Sequence, residues 1–319
     1  MNNTTIKHSL LFDDHIVDNQ LFKNIVIPAD DQLEQAQRVF HGRGHAYPNL
    51  HHITIDWLNP VLLITLFAPV SKSDLATLAD GLVKRFSQCQ SIQVQHRYEA
   101  SWLVDCIYGK CITDLEIVES NLRYKLTIQS GTNTGLFLDM KQGRDWVQAN
   151  SKNKRVLNLF SYTCGFSIAA AEGDAKSIYN IDMSSPFLTT GRDNHRLNKH
   201  ALTGIRFEKL NILKSFGRIK RRGPYDLIIC DPPTFQKGSI DIVRDYPKLI
   251  RRFVEWLSKE GVLLLCINTP HIADLTGKAF LLKAISENAP EFRLIKELMP
   301  PEVYKETQGK GTKILVFKR

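Results

Sequence analysis

The 319-residue sequence lacks the features of several common protein classes. It has no apolar run approaching about 18 residues, which a membrane-spanning helix requires, and no basic-then-apolar signal at its N-terminus. Its six cysteines include no C-x-x-C pair, so neither a zinc ribbon nor a dithiol redox site is indicated. The histidine-rich stretch 41–52 contains no carboxylate or cysteine that would complete a metal site. We therefore expect a cytoplasmic protein with no membrane segment and no metal.

Positive charge is concentrated in one part of the chain. Residues 1–110 carry 9 Lys and Arg against 11 Asp and Glu, whereas the remaining residues carry 33 against 22. A basic half beside a near-neutral half is what a protein with a polyanionic partner would show, and solubility alone is an equally good explanation.

The first part of the chain predicts a small α/β unit. A helix is expected to begin at Asp30, because apolar residues after it recur at helical spacing. These residues are Leu33, Ala36, Val39 and Phe40. Strands and one further helix are expected at 53–57, 61–67, 71–86 and 91–98.

From residue 156 onward, strands and helices alternate, which predicts a doubly wound parallel sheet. The expected strands are 156–162, 177–182, 205–211, 226–231, 261–268, 292–298 and 313–319. Only 14 residues, 299–312, join the last two, which is too few for a crossover helix. The sequence therefore predicts a Rossmann-like, seven-stranded α/β sheet with one antiparallel strand near its end, preceded by the small N-terminal α/β domain.

Ligands of open α/β sheets bind beyond the carboxyl ends of the strands, so the residues at those ends are the candidates for a site. Gly165 would let the backbone approach a ligand after the first strand, although G-x-G-x-x-G is absent and a plain tight turn is the alternative. Asp182 ends the next strand and is placed to bind ribose hydroxyls, or to cap a helix. Asn211, after the third strand, could meet an adenine edge, or be an ordinary turn residue.

The stretch DPPTF, Asp231 to Phe235, follows the fourth strand of this sheet. Proline cannot donate to a sheet ladder, so the strand must end there, and two prolines make the turn rigid. A rigid turn with an acid and an aromatic residue is typical of the [DN]-P-P-[YFW] motif of methyltransferases. In that motif the acid and a backbone carbonyl face the methyl group, and the aromatic ring can stack on a base.

These motifs together resemble the RlmI and RlmK class of bacterial 23S ribosomal RNA methyltransferases. The resemblance is carried by NLFSYTCGFS, Asp182, ICDPPTF, NTGLFLDMK and HGRGHAYPNLHHITIDW, and it runs from about residue 37 to the end. It implies a class I methyltransferase domain with S-adenosylmethionine as cofactor and RNA, 23S ribosomal RNA above all, as partner. The PUA domain of the RlmI layout is expected to be missing.

The resemblance also divides the chain and assigns its site residues. It implies an extension over 1–36, a small RNA-binding α/β domain over 37–112, a hairpin and cofactor-covering segment over 113–150, and the methyltransferase domain over 151–319. The implied cofactor-binding residues are Phe137, Asp139, Ser161, Tyr162, Cys164, Gly165, Asp182, Met183, Asn211 and Asp231. The implied catalytic residues are Asp231, Pro232, Pro233 and Phe235.

Three residues depart from the family pattern. Cys164 stands where glycine is frequent, Asn211 replaces an aspartate, and Lys141 stands near the position of an arginine. These departures motivate the hypothesis of a protein that binds cofactor and RNA without catalysis.

The atom that would be methylated depends on whether the site contains a nucleophilic cysteine. Methylation of cytosine C5 needs a thiolate that attacks C6 first, and the RlmI pattern has this cysteine after the fifth strand. Here Asn268 stands at that position, as in the RlmK pattern, whereas Cys230 and Cys266 lie inside apolar strands. A guanine nitrogen is therefore favoured over cytosine C5, and DNA remains an alternative substrate.

Five basic residues are candidates for phosphate contacts. Four of them precede the fourth strand of the large sheet, and one lies in HGRGH; a solvated basic loop is the alternative for the first group. These residues are Arg43, Arg218, Lys220, Arg221 and Arg222.

Overall fold

The small domain is built on a five-stranded mixed sheet. The computed structural model describes residues 19–236, 240–268, 276–307, 309 and 311–319. The strands of the small sheet, in spatial order, are β1 (Gln37–His41), β2 (Ile53–Leu58), β3 (Val61–Leu66), β4 (Ser91–His96) and β5 (Val104–Gly109). Helix α1 (Asn19–Asn24) precedes β1, and helix α2 (Lys72–Arg85) is the crossover between the parallel strands β3 and β4. The cap of α2 is Ser71, whose Oγ accepts from the Asp74 N–H, as the sequence predicted.

The helix expected from Asp30 is not formed. The chain makes a short 3-10 turn at Asp30–Gln32 and then enters β1. A bulge between Arg38 and Phe40 shifts the register, and Val39 and Phe40 are both buried. Two consecutive buried residues at a bulge imitate helical spacing in the sequence, which explains the wrong prediction.

A two-stranded hairpin connects the domains. Its strands are β6 (Asp114–Glu119) and β7 (Leu122–Thr127), and helix α3 (Lys141–Asn150) follows. An isolated ribbon leaves backbone groups unpaired along both edges. Asn194 and Asn198 satisfy part of one edge, because their Oδ1 atoms accept from the N–H groups of Lys125 and Arg123 at 2.8 Å.

The large sheet has the predicted seven strands, and the predicted fold class is confirmed. Five are parallel: β8 (Arg155–Leu159), β9 (Ser177–Asp182), β10 (Ile205–Lys209), β11 (Tyr225–Cys230) and β14 (Leu257–Ile267). Strands β15 (Arg293–Leu298) and β16 (Lys313–Lys318) complete it in the order β10-β9-β8-β11-β14-β16-β15. β16 runs antiparallel to both neighbours. Residues 235–236 and 240–241 form a small ribbon, β12 (Phe235–Gln236) and β13 (Ile240–Asp241).

Helices cover both faces of the large sheet. They are α4 (Gly165–Glu172), α5 (Ser185–Leu197), α6 (Phe216–Lys220), α7 (Ile242–Trp256) and α8 (Gly277–Asn288). Successive strand residues alternate between two apolar layers: Ile229 packs with α4, and its neighbours Ile228 and Cys230 pack with α7 and α8. Burial on both faces explains the continuous apolar runs of the sequence. No helix in the described part of the chain is long and apolar enough to cross a membrane.

The strand order of the large sheet reverses between β8 and β11. The chain passes from β8 through β9 to the edge strand β10, and β11 then lies on the other side of β8. The carboxyl ends of β8 and β11 therefore flank a crevice, which is where an open α/β sheet binds its ligand.

A buried ion pair joins the hairpin to helix α3. Arg144 on α3 donates from Nε and Nη2 to both oxygens of Glu119 at 2.6 and 2.7 Å, and both side chains are almost wholly buried. Two parallel hydrogen bonds between a guanidinium and a carboxylate fix both orientation and distance. The pair therefore holds the end of β6 against α3.

Removing one partner of this pair should be strongly destabilising. Glu119→Ala leaves the Arg144 charge buried without compensation, so we expect the free energy of unfolding to fall by about 3–5 kcal/mol in urea titration. The double change Glu119→Leu with Arg144→Met should recover most of that loss. Asp193→Ala, which breaks the exposed pair with Arg196, is the matched control and should cost under about 1 kcal/mol. Equal costs for Glu119→Ala and Asp193→Ala would contradict the structural role of the buried pair.

Candidate active site

A pocket of about 520 Å³ opens at the crevice between β8 and β11. Nine of the predicted site residues line it: Phe137, Asp139, Ser161, Tyr162, Gly165, Asp182, Asp231, Pro232 and Pro233. They come from three separate places in the chain, the segment before α3, the carboxyl ends of β8 and β9, and the turn after β11. The fold thus brings most of the predicted cofactor-binding and catalytic residues into one cavity.

The loop after β8 has an unusual backbone. Phe160, Tyr162 and Cys164 all have a left-handed conformation, with φ of 56°, 48° and 65°. For residues other than glycine this conformation costs on the order of 1 kcal/mol or more each, and it is concentrated at functional sites. Between them lies Ser161, a pocket-lining residue whose buried hydroxyl has no hydrogen-bond partner among the described residues. A ligand with a polar group at this loop would satisfy that hydroxyl.

Asp182 is held by the same loop. Its Oδ2 accepts from the Tyr162 N–H at 2.9 Å, and its Oδ1 accepts from the Ser184 N–H at 2.8 Å. The helix cap of α5 is Ser184 and not Asp182, because the Ser184 Oγ accepts from the Phe187 N–H. A carboxylate has about four acceptor sites, so two remain for hydroxyl groups of a ligand in the pocket. Together with Ser161, this arrangement fits a nucleoside cofactor with a ribose diol.

Cys164 points away from the pocket. Its side chain is fully buried, and burial raises the pKa of its thiol to about 12. A Cβ atom placed on Gly191 of α5 would lie 2.5 Å from the Cys164 Sγ. The missing side chain at Gly191 therefore makes the space that Cys164 occupies.

The turn after β11 is fixed from both sides. Thr234 Oγ1 donates to the carbonyl oxygen of Asn268 at 2.6 Å, which ties the turn to the end of β14. The buried Tyr246 hydroxyl on α7 lies 3.1 Å from the carbonyl oxygen of Cys230 and 3.0 Å from that of Cys266. These contacts, with the two prolines, hold Asp231 at a defined place in the pocket wall.

Asp231 lies in an unfavourable place for a negative charge. Burial, and then the neighbouring charge of Asp139, raise the pKa of Asp231 to about 7, although Arg144 opposes the shift. A carboxyl group that titrates near neutral pH can exchange a proton at little cost in free energy. The structure thus gives the predicted catalytic acid a pKa suited to a role in the reaction.

The segment before α3 closes one side of the pocket. Thr163 Oγ1 donates to the carbonyl oxygen of Gly135 at 2.5 Å, and Arg144 Nη1 donates to that of Phe137 at 3.0 Å. The rings of Phe137 and Tyr162 lie 5.6 Å apart, and Phe187 meets Tyr162 edge-on at 4.5 Å. An aromatic cluster therefore lines this side of the cavity.

Several predicted residues lie outside the pocket wall. Met183 and Asn211 are not among its lining residues, and the Asn211 Oδ1 accepts from the Lys214 N–H at the start of a 3-10 turn. The side chain of Phe235 lies outside the part of the chain that the structure describes.

The predicted RNA-binding residues are also not among the residues that line the pocket. Arg218 and Arg222 pair with Glu208, and Lys220 pairs with Glu255. Arg221 is exposed, and Arg43 lies over the Phe67 ring at 4.1 Å. The charge of three of these residues is therefore partly compensated within the protein.

Sequence reasoning did not assign a role to some pocket residues. Arg144 lies one helical turn beyond Lys141 and is a buried residue of the pocket wall. The pocket therefore contains an arginine, although Lys141 stands near the position where the family pattern has one. Trp102 comes from the small domain and lines the pocket as well. No strand-end motif marks Trp102, because only the packing of the two domains brings it there.

The space shared by Cys164 and Gly191 can be tested by substitution. Gly191→Ala should destabilise the protein by about 1–3 kcal/mol, because the new methyl group overlaps the Cys164 side chain. In a Cys164→Gly background the same change should cost much less, which a double-mutant cycle in urea would measure. Gly217→Ala is the control, since nothing lies within 4 Å of the added Cβ. If Gly191→Ala proved as harmless as Gly217→Ala, the packing account of Cys164 would be wrong.

Comparison with known proteins agrees with this geometry. Residues 37–318 match the family model described as S-adenosylmethionine-dependent methyltransferase. The chain is 31% identical over 223 residues to ribosomal RNA large subunit methyltransferase I of Tolumonas auensis, a match that covers 66% of this chain and 56% of that protein. It is 36% identical over 193 residues to ribosomal RNA large subunit methyltransferase K/L of Pseudoalteromonas translucida, covering 57% of this chain and 27% of that one. It thus spans about half, or less, of the length of these two relatives.

A solved structure shares the fold. A putative S-adenosylmethionine-dependent methyltransferase from Streptococcus mutans superposes with a TM-score of 0.78 at 24% identity, over 90% of this chain and 76% of that one. The predicted resemblance to the RlmI and RlmK class is confirmed by the two relatives above. The match over residues 37–318 shows that the chain belongs to the S-adenosylmethionine-dependent methyltransferases, with S-adenosylmethionine as its cofactor.

Proposed function

We propose that this protein methylates a nitrogen atom of a guanine in ribosomal RNA. The observation that carries the proposal is the composition of the pocket wall around the turn after β11. Asp231, Pro232, Pro233, Thr234 and Asn268 line it, and no cysteine among the described residues does. The names of the relatives support ribosomal RNA as the substrate.

The turn supports methyl transfer to nitrogen by positioning. The bound cofactor supplies an electrophilic methyl group, and the remaining requirement is a nucleophile held in line at near contact. Asp231 can accept a hydrogen bond from a guanine amino group and so orient the base. The rigid proline pair keeps that acceptor in place, and the Asn268 carbonyl fixes the turn through Thr234.

Methylation of cytosine C5 is less well supported than methylation of a guanine nitrogen. It would need a thiolate within reach of the base. Cys230 and Cys266 are fully buried, on opposite faces of the sheet, and burial raises the pKa of both thiols. Neither thiol lines the pocket.

The remaining assignments belong to the same proposal. The nine pocket-lining residues predicted from the sequence would hold the cofactor and form the catalytic turn, with Asp182 at the ribose. Ribosomal RNA as substrate would place the protein in the cytoplasm, where ribosomes assemble. A stacking role for Phe235, RNA contacts by the basic residues, and the domain boundaries at 36, 112 and 150 stay predictions.

The proposal is tested by labelled methyl transfer. Ribosomal RNA from cells that lack the protein would be incubated with protein and labelled S-adenosylmethionine, and its nucleosides resolved by mass spectrometry. We expect a methylated guanine, and a rate lowered by on the order of a hundredfold or more in Asp231→Ala. Cys266→Ser should remain active. Methylated cytosine, or loss of activity in Cys266→Ser, would contradict the nitrogen assignment, and absence of label in every RNA would contradict RNA methylation.

The pH dependence of methyl transfer should show the ionisation of the Asp231 carboxyl group. Below its pKa of about 7 the carboxyl is protonated and loses an acceptor site. We therefore expect kcat/KM to rise with pH and to level off above about pH 7, because this ratio reports groups of the free enzyme. Asp231→Asn should have lower activity and no inflection near pH 7. A profile of the same shape in both proteins would assign the inflection to another group.

A further inference from the structure

One wall of the pocket is supplied by a loop of the small domain. The loop runs from Arg97 to Leu103 between β4 and β5, and its Trp102 lines the pocket beside Asn133 and Phe137. The loop is tied to the segment before α3, because Gln95 Nε2 donates to the carbonyl oxygen of Thr132 at 3.2 Å and Val104 N–H donates to Ser130 Oγ at 3.2 Å. The small domain therefore has a fixed position at the mouth of the cavity.

Arg97 is the cation of this loop. Its guanidinium lies over the Trp102 ring, 4.2 Å from the ring centroid. Its hydrogen bonds go to Gln95 Oε1 at 2.9 Å and to Asn133 Oδ1, which are both neutral amide oxygens. Within the described part of the chain, no carboxylate lies at ion-pair distance from Arg97. Its positive charge is thus held over the Trp102 ring without an acidic partner among the described residues, unlike that of Arg218, Lys220 or Arg222.

The backbone at Trp102 is strained. Its φ of 47° is left-handed, which an aromatic residue rarely adopts. Two backbone hydrogen bonds hold it there, from Trp102 N–H to the Glu99 carbonyl at 3.1 Å and from His96 N–H to the Leu103 carbonyl at 2.8 Å. The loop is therefore built to present the indole in one orientation, at a cost in local free energy.

Apolar surface extends outward from Trp102. Tyr98 and Leu103 flank it in the loop and are 38% and 43% exposed. A half-buried indole and an exposed tyrosine ring lie here beside a cation without an acidic partner among the described residues. Proteins bind single-stranded nucleic acid with such groups, because aromatic rings stack on bases and a cation contacts the phosphate.

We propose that the Arg97–Leu103 loop is a binding site for an unpaired nucleotide of the RNA substrate, in which the Trp102 ring stacks on a base and Arg97 contacts a phosphate. This inference rests on the proposed function, since it takes RNA as the substrate. It adds a recognition site on the small domain to a catalytic pocket on the large one. The loop would thereby select RNA whose target region is single-stranded.

The experiment measures RNA affinity and cofactor affinity separately. A fluorescently labelled single-stranded oligoribonucleotide and its duplex form would be titrated with full-length protein, and S-adenosylmethionine binding would be measured by calorimetry. We expect the wild-type protein to prefer the single strand. Trp102→Ala should weaken that binding about tenfold to a hundredfold, the usual loss for one stacked base. Trp102→Phe should retain most of it. Because Trp102 also lines the cofactor pocket, Trp102→Ala should lower cofactor affinity as well, but by much less than it lowers RNA affinity.

Salt dependence distinguishes the two residues. Arg97→Gln should weaken binding and reduce the magnitude of the salt slope by about 0.7, the value for one phosphate contact on a single strand, whereas Trp102→Ala should leave the slope unchanged. Matched controls are Tyr108→Ala, an exposed aromatic residue of β5, and Arg85→Gln, whose guanidinium lies 4.4 Å from the Phe22 ring; neither residue lines the pocket. Both controls should bind RNA like the wild type.

The outcomes separate this inference from the proposed function. Unchanged RNA affinity in Trp102→Ala, or equal losses of RNA and cofactor affinity, would overturn the loop site even if the wild-type protein methylates RNA. Equal binding of single strand and duplex by the wild type would also overturn it. Absence of methyl transfer to RNA by a wild-type protein that still needs Trp102 for RNA binding would overturn the proposed function and leave the loop site standing.

Discussion

The buried contact between Arg144 and Glu119 is the interaction on which the site depends. Through Glu119 the guanidinium holds the hairpin, and through the Phe137 carbonyl it holds the segment that closes the pocket. The same side chain lines the cavity and its charge acts on Asp231. A single cation thus links the connection between the domains, the shape of the pocket and the pKa of the Asp231 carboxyl.

The two domains contribute different residues to the pocket. The large sheet provides the switch point, Asp182 at the end of β9 and the rigid turn after β11, which are all features of one doubly wound sheet. The loop between β4 and β5 of the small domain brings Trp102 to the wall of the same pocket, with the Arg97 guanidinium over its ring. Arg97 has no carboxylate at ion-pair distance among the described residues, whereas Arg218, Lys220 and Arg222 pair with Glu208 or Glu255. An RNA bound as proposed above would contact both domains at once.

Much of the large domain was predictable from the sequence, for a physical reason. A strand buried on both faces reads as a continuous apolar run, and proline or an acid at its end marks where it stops, so Asp182 and Asp231 could be placed at strand ends from the residue pattern alone. The edge strand β1 was not predictable, because its bulge gives Val39 and Phe40 the spacing of a helix. The place of Trp102 in the pocket wall and the packing of Cys164 against Gly191 were also not predictable. They depend on contacts between segments that are distant in sequence, and nothing local records them.

A crystal structure of the protein with S-adenosylhomocysteine would show directly whether the pocket between β8 and β11 holds the cofactor. We expect the ligand in this 520 Å³ pocket, with its ribose hydroxyls on Asp182, a polar group at Ser161 and its sulfur facing the turn at Asp231 and Pro232. The ligand in another cavity, such as the one of about 720 Å³ lined by Arg38, Lys141 and Tyr304, would contradict it. So would a ribose that leaves Asp182 without a contact.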